Sequence, residues 1–125
     1  MIGENQEILA DVKKLLGIAK EYTDFDLDIM LNINSVFVTL RQIGIGPKEG
    51  FRITGYDKAW DDFVSDNEML DSVKTYMYLK VKLAFDPPLN STVLDSYERQ
   101  ISELEWRLNF MAESSVMKGD NVENE

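Results

Sequence analysis

The chain has 125 residues, which suggests one domain, and its 44% hydrophobic content is typical of a globular protein. It contains no cysteine and no histidine, which excludes disulfides, thiolate metal sites, zinc hydrolysis and Ser–His–Asp catalysis by this chain alone. The net charge of −10 disfavours specific binding to nucleic acid or to anionic membranes.

The N-terminal half predicts two helices. Apolar residues spaced three and four apart indicate a first helix from about Asn5 to Leu16, followed by Gly17. A second helix is predicted after a Thr23 N-cap, with Asp26 completing a capping box, and it should end at Gly44. Its periodic apolar positions are expected in the core: Phe25, Ile29, Ile33, Val36, Phe37, Leu40 and Ile43.

Residues 48–56 predict a short extended or hairpin segment. Phe51 and Ile53 alternate with polar residues, and Gly55 is a turn former. One short strand cannot form a sheet without a partner strand, so we interpret Phe51, Arg52 and Ile53 as a candidate inter-subunit strand. The pattern leaves open whether this segment pairs within the chain or with a neighbouring subunit.

The C-terminal half predicts a helical turn and two further helices. Trp60 and Phe63 should pack on the core from a turn over residues 57–64, and a long helix should start near Asp66 and stop before Pro87. A fourth helix, after an Asn90 or Ser91 cap, carries an apolar seam suited to helix packing: Tyr97, Ile101, Leu104, Leu108 and Met111.

The expected fold class is therefore mainly all-α, a small bundle of about four helices. Residues 1–112 should form a single helical domain. From Glu113 onward the composition is polar and acidic, so residues 113–125 are interpreted as a flexible acidic C-terminal tail. No targeting segment or membrane span is predicted, and we expect the protein to be made in the cytoplasm.

Two clusters of acidic residues are the candidates for a catalytic or metal-binding site. Asp24, Asp26 and Asp28 open like a calcium loop, but Ile29 and Ser35 stand where glycine and glutamate are required. A second cluster spans residues 57–68, where no phosphate-binding loop or substrate pocket is indicated. We interpret both as helix caps and solvated faces, and we predict no catalytic, cofactor-binding or metal-binding residues and no enzymatic activity.

Two groups of side chains are candidates for contacts with other proteins. Tyr78, Lys80 and Lys82 combine basic and aromatic character on the third helix, as a subunit-facing patch or as ordinary exposed residues. Trp106 lies off the apolar seam of the fourth helix. Its position fits either a second contact surface or an extra intramolecular contact.

Several stretches together resemble a known family. They are DVKKLLGI (11–18), TDFDLDIMLNINSVFVTLRQIGIGP (23–47), WDDF (60–63), VKTYMYLKVKLAFDPP (73–88) and ISELEWRLN (101–109). In this order they resemble the head–tail connector, or adaptor, proteins of tailed bacteriophages, of the siphophage and prophage type. The similarity covers most of residues 8–112.

The resemblance implies a structural virion protein at the head–tail junction, without a cofactor. Such subunits form a ring, typically a dodecamer, under the portal protein after DNA packaging. The ring extends the DNA channel and supports the next connector or a tail-completion protein, and DNA passes without specific binding. A C-terminal segment of these proteins engages the portal. Here that segment is the stretch after Leu108, which adds Phe110, Met111 and Met117 to the candidate subunit and portal interface.

Other functions stay open at this point. The chain fits a tail-side or head-completion component at another layer, or an acidic regulatory module that binds one protein and mimics DNA. A hydrolase that uses carboxylates and a metal is disfavoured by the absence of histidine.

Overall fold

The computed structural model describes residues 7–123, with side chains described as far as Ser114. In chain order the elements are α1 (Ile8–Leu15), α2 (Asp26–Ile43), a 3-10 turn (Trp60–Asp62), α3 (Asn67–Phe85) and α4 (Ser91–Glu123). Within residues 7–123 no strand forms, and one isolated bridge joins Glu7 to Ala59. The predicted all-α fold is confirmed.

Helices α2, α3 and α4 form an up-down-up bundle. Helix α3 packs along both α2 and α4, while α1 lies across α2 and α3. Helices α2 and α4 run in the same direction, because Val36 shares a groove with Ile101 and, further along both helices, Gly44 lies against Ala112. Burial of the apolar faces stabilises this arrangement. The largest fully buried apolar side chains include Phe37, Ile8, Leu9, Ile29, Ile33, Leu40, Met77 and Leu108.

The start of α2 differs from the prediction. The helix begins at Asp26, its N-cap residue is Phe25, and no side chain caps it. Only the backbone carbonyl of Thr23 takes part, accepting a hydrogen bond from Asp26 N–H at 3.2 Å. The predicted capping box does not form because the Asp26 carboxylate pairs with Lys13 instead. Phe25 is 41% exposed rather than buried, although its ring contacts Phe85 with centroids 5.3 Å apart.

The starts of α3 and α4 follow the predicted caps. The Asp66 side chain accepts a hydrogen bond from Met69 N–H at 3.0 Å, and the Asn90 side chain accepts one from Thr92 N–H at 2.8 Å. These bonds satisfy donors that the first turn of a helix leaves free. At the other end of the chain α1 begins at Ile8, and Asn5 lies outside the described residues.

Helix α4 is longer than the sequence predicts. It continues to Glu123, where a flexible tail was expected from Glu113 onward. Up to Lys118 the reason is local, since no glycine or proline interrupts the chain from Ser91 onward, and Glu113, Met117 and Lys118 favour helix. The last turn continues through Gly119, which local preference does not explain. Residues 113–123 extend about 16 Å beyond the contact between Gly44 and Ala112. A domain boundary at residue 112 stays a prediction.

The segment around Ile53 is irregular and docks within its own chain. Ile53 is buried; its N–H donates to the Asn34 side chain at 2.8 Å, and its carbonyl accepts from the same side chain at 3.0 Å. Pairing of Phe51, Arg52 and Ile53 with a neighbouring subunit stays a prediction. Because its N–H already donates to Asn34, Ile53 has no free backbone donor for such a ladder.

Tyr76 links α3 to α4 and gives a first testable prediction. Its side chain is fully buried, and its hydroxyl donates to Glu105 at 2.8 Å; burial, together with this carboxylate, raises the pKa of Tyr76 above the ordinary tyrosine value. Tyr76→Phe is expected to lower the free energy of unfolding by about 1.5–3 kcal/mol, because a hydrogen bond to a charged group is lost. Urea unfolding measures the change. Tyr22→Phe, at a side chain 47% exposed, is the control, and equal effects of the two changes would contradict the prediction.

Candidate interaction surfaces

The outer face of α4 carries an exposed pair of aromatic rings. Trp106 is 70% and Phe110 57% exposed, and the rings stack with centroids 5.9 Å apart and planes 7° apart. Both lie about 160° around the helix from the buried seam, so they point away from the core. Glu103 and Glu113 fall on the same side of α4 and are exposed. We call Trp106 and Phe110, flanked by these carboxylates, the aromatic patch.

The outer face of α2 also carries exposed apolar side chains. Leu27, Leu31 and Val38 are 65%, 61% and 57% exposed. By the helical period they fall within about 40° of one another, on the side opposite the buried residues of α2. Single exposed apolar residues are ordinary, whereas an aligned set is typical of a contact surface. These residues were not among the predicted contact residues, although the helical period alone places them on one face.

A groove lies where the second half of α2 meets the segment after it. Its walls include Phe37, Val38 and Arg41 from α2 and Phe51 and Arg52 from the segment, and its volume is about 610 Å³. We call it the α2 groove. Arg41 is held at its rim, since its Nε donates to the Lys48 carbonyl at 3.0 Å. Of the ion pairs among the described side chains, none involves Arg41 or Arg52.

An aromatic cluster supports the floor of the α2 groove. The rings of Phe37, Phe51 and Phe63 lie with centroids 4.7–5.1 Å apart. Gly46 allows this packing, because a Cβ at that position would lie 2.3 Å from the Phe63 ring, and its φ of +94° is in the left-handed region. Glycine adopts this conformation without steric cost.

Tyr78, Lys80 and Lys82 do not form one exposed stripe. Tyr78 is half-buried, and burial and a hydrogen bond with Tyr97 raise the pKa of Tyr78. The Lys82 ammonium pairs with Asp86 at 2.9 Å, which raises the pKa of Lys82. Lys80 is also half-buried and lies over the Tyr76 ring at 5.9 Å. A role for the three residues in subunit contacts stays a prediction.

The remaining interface candidates on α4 are Met111 and Met117. Met111 is half-buried and packs against the core, as its place in the predicted seam requires. Met117 lies in the part of α4 whose side chains are not described. Their assignment to a subunit or portal interface stays a prediction.

A buried lysine is the feature that sequence reasoning missed. Lys13 is fully buried; its ammonium pairs with Asp26 at 2.7 Å and donates to the carbonyls of Lys20 and Tyr22 at 3.0 and 2.7 Å and to the Tyr56 hydroxyl at 2.8 Å. Burial opposes its charge, but these partners raise the pKa of Lys13. Its spacing could have predicted this burial, because Lys13 lies four residues after the buried Leu9 and therefore on the inner face of α1.

The acidic residues serve turns and caps. Burial opposes the charge of Asp57, but hydrogen bonds from Thr54 N–H at 3.1 Å and Thr54 Oγ1 at 2.8 Å, with Lys58 nearby, lower the pKa of Asp57 to about 2. Asp62 accepts a hydrogen bond from Ala59 N–H at 2.8 Å. Within the described part of the chain no group of three acidic side chains is arranged to hold a metal ion. None of the helices in that part is both long and apolar enough to cross a bilayer.

These observations define a class, an all-α bundle that exposes apolar and aromatic side chains on the outer faces of two helices. Residues 8–115 match the family described as phage connector protein, and the chain belongs to this family. No curated protein and no solved structure is significantly similar to the chain. The family match confirms the resemblance drawn from the sequence and makes this a structural protein of the connector type, a component of the phage virion.

Proposed function

We propose that the protein is an adaptor subunit that forms a ring under the portal protein, extends the DNA channel and links the capsid to the tail. The proposal rests on membership of the connector family. Its partners are neighbouring copies of itself, the portal protein and the next connector or tail-completion protein. The ring is a dodecamer in this proposal, and the virion site is the head–tail junction.

The observation that carries the proposal is the presence of two different exposed apolar surfaces on one subunit. The aromatic patch lies on α4, and the stripe of Leu27, Leu31 and Val38 lies on α2. A ring is built from heterologous contacts, in which one surface of a subunit meets a different surface of the next. A two-fold dimer would need only one surface that pairs with itself.

The charge of the chain also fits a DNA channel. With a net charge of −10, a ring of such subunits repels phosphates instead of exchanging their counterions for lysine and arginine. DNA then passes without adhesion.

The test is to mix the purified protein with its cognate portal protein. Size-exclusion chromatography is expected to show co-elution, and electron microscopy is expected to show a ring on one end of the portal. Trp106→Ser with Phe110→Ser should lower the yield of rings, whereas Leu89→Ser, at a fully exposed side chain outside both surfaces, should not.

Two results would contradict the proposal. Binding to a tail-completion protein but not to the portal would place the chain at another layer. Competition with DNA for a single partner, without ring formation, would favour an acidic regulatory module.

A further inference from the structure

We infer that the aromatic patch of one subunit docks into the α2 groove of the next copy of the chain. This inference rests on the proposed ring and names a contact between neighbouring copies. On α2 the contact uses the α2 groove, which shares Val38 with the exposed stripe of Leu27, Leu31 and Val38. The occupant of the groove is therefore a second copy, inserted through Trp106 and Phe110 of α4.

Charge complementarity favours this occupant. Within one turn of its two rings the aromatic patch has Glu103, Arg107 and Glu113, so it keeps a negative balance, while the rim of the α2 groove holds Arg41 and Arg52. Glu49 also lines the groove, so the groove keeps a positive balance on a chain whose net charge is −10. Arginines placed at a rim beside aromatic walls bind carboxylates and stack on aromatic rings.

The chemistry of the two surfaces also matches. The walls and floor of the α2 groove are apolar and aromatic, with Val38 57% exposed above Phe37 and Phe51. An open groove of about 610 Å³ suits large planar rings, because aromatic side chains gain most from burial against other rings. Trp and Arg are the residues that most often dominate such contacts.

The positions of the aromatic patch and the α2 groove along the axis of the bundle suit a side-by-side contact between copies. Phe110 lies within one turn of Ala112 on α4, and Arg41 lies within one turn of Gly44 on α2. Ala112 and Gly44 touch across the bundle, with 3.5 Å between the Ala112 Cβ and the place of a Cβ on Gly44. The patch and the groove are therefore at the same level along the bundle but on different helices. Copies that meet in this way add side by side, as a ring requires.

Charge reversal tests the pairing in the full-length chain. Arg41→Glu with Arg52→Glu, and separately Glu103→Arg with Glu113→Arg, should each weaken self-association at least tenfold by sedimentation or on the portal. A chain with all four changes keeps the net charge of −10 and should regain assembly. Thermal unfolding of each variant checks that it folds. If wild type forms rings and both double variants assemble equally well, the inference is overturned and the proposed function stands.

Cross-linking tests the contact even where rings are unstable. Because the chain has no cysteine, single-cysteine variants can be mixed in pairs. A short bismaleimide should join Asn109→Cys, beside the patch, to Gln42→Cys, in the groove, at least tenfold more than it joins Asn109→Cys to Lys14→Cys on α1. Equal yields would overturn the inference. A selective cross-link in a protein that never binds the portal would support the contact while contradicting the proposed function.

Discussion

Lys13→Met is expected to lower the free energy of unfolding by about 3–5 kcal/mol, because removing one partner of a buried ion pair leaves the other uncompensated. The change takes the ammonium away from the Asp26 carboxylate and from the carbonyls of Lys20 and Tyr22. The Tyr56 hydroxyl lies within hydrogen-bond distance of Asp26 and of the Lys20 carbonyl, but its one hydrogen cannot replace all the bonds that are lost. Methionine keeps most of the side-chain volume, so the loss reports on the polar contacts. Chemical denaturation followed by circular dichroism measures it.

The control for this change is Lys14→Met, because Lys14 is exposed and adjacent in the chain. It should alter stability by less than about 0.5 kcal/mol. The pKa of Lys13 is raised above 10.5, so its stabilisation is fully present below that pH and is lost as the pH rises through the higher folded-state value. A Lys13→Met protein as stable as Lys14→Met would contradict the role assigned to the buried ammonium.

Gly46→Ala is expected to destabilise the protein by about 2–4 kcal/mol, combining the strain of a left-handed residue with overpacking. Its Cβ would lie 2.3 Å from the Phe63 ring, which is buried against Phe37 and Phe51 and has little room to move. Thermal unfolding measures the loss.

Gly17→Ala separates the two causes. Gly17 also has a positive φ, +83°, but nothing lies within 4 Å of an added Cβ. Its substitution should cost only the backbone strain, about 1–2 kcal/mol. Equal losses at Gly17 and Gly46 would show that the contact with Phe63 has no part in the effect.

The helices and the core were predictable because they depend on local periodicity. The seam of α4, the inner face of α2 and the caps at Asp66 and Asn90 all follow from spacing and short-range hydrogen bonds. The predicted capping box at Thr23 does not form because Lys13, which lies 13 residues before Asp26, pairs with the Asp26 carboxylate. Such a contact between distant segments leaves no trace in a local pattern.

Of the two surfaces in the inferred contact, the aromatic patch was predictable in part from the sequence and the α2 groove was not. Trp106 could be placed off the seam from the helical period, and the structure shows how exposed it is. The α2 groove could not be found in the same way, because it exists only when residues 49–52 fold back on α2. Contacts of Phe37 with Phe51 and of Gly46 with Phe63 hold this segment in place, and each joins residues that are far apart in the sequence.

The length of α4 has a mechanical consequence. Beyond Ala112, where α4 meets Gly44 of α2, the helix extends for about another 16 Å, so a small change in its direction at Ala112 moves its far end. A tilt of about 10° at Ala112 would displace residue 123 by about 3 Å. A partner that holds α4 near Phe110 therefore also sets the direction of its far end, and copies held in the same way would present these ends alike.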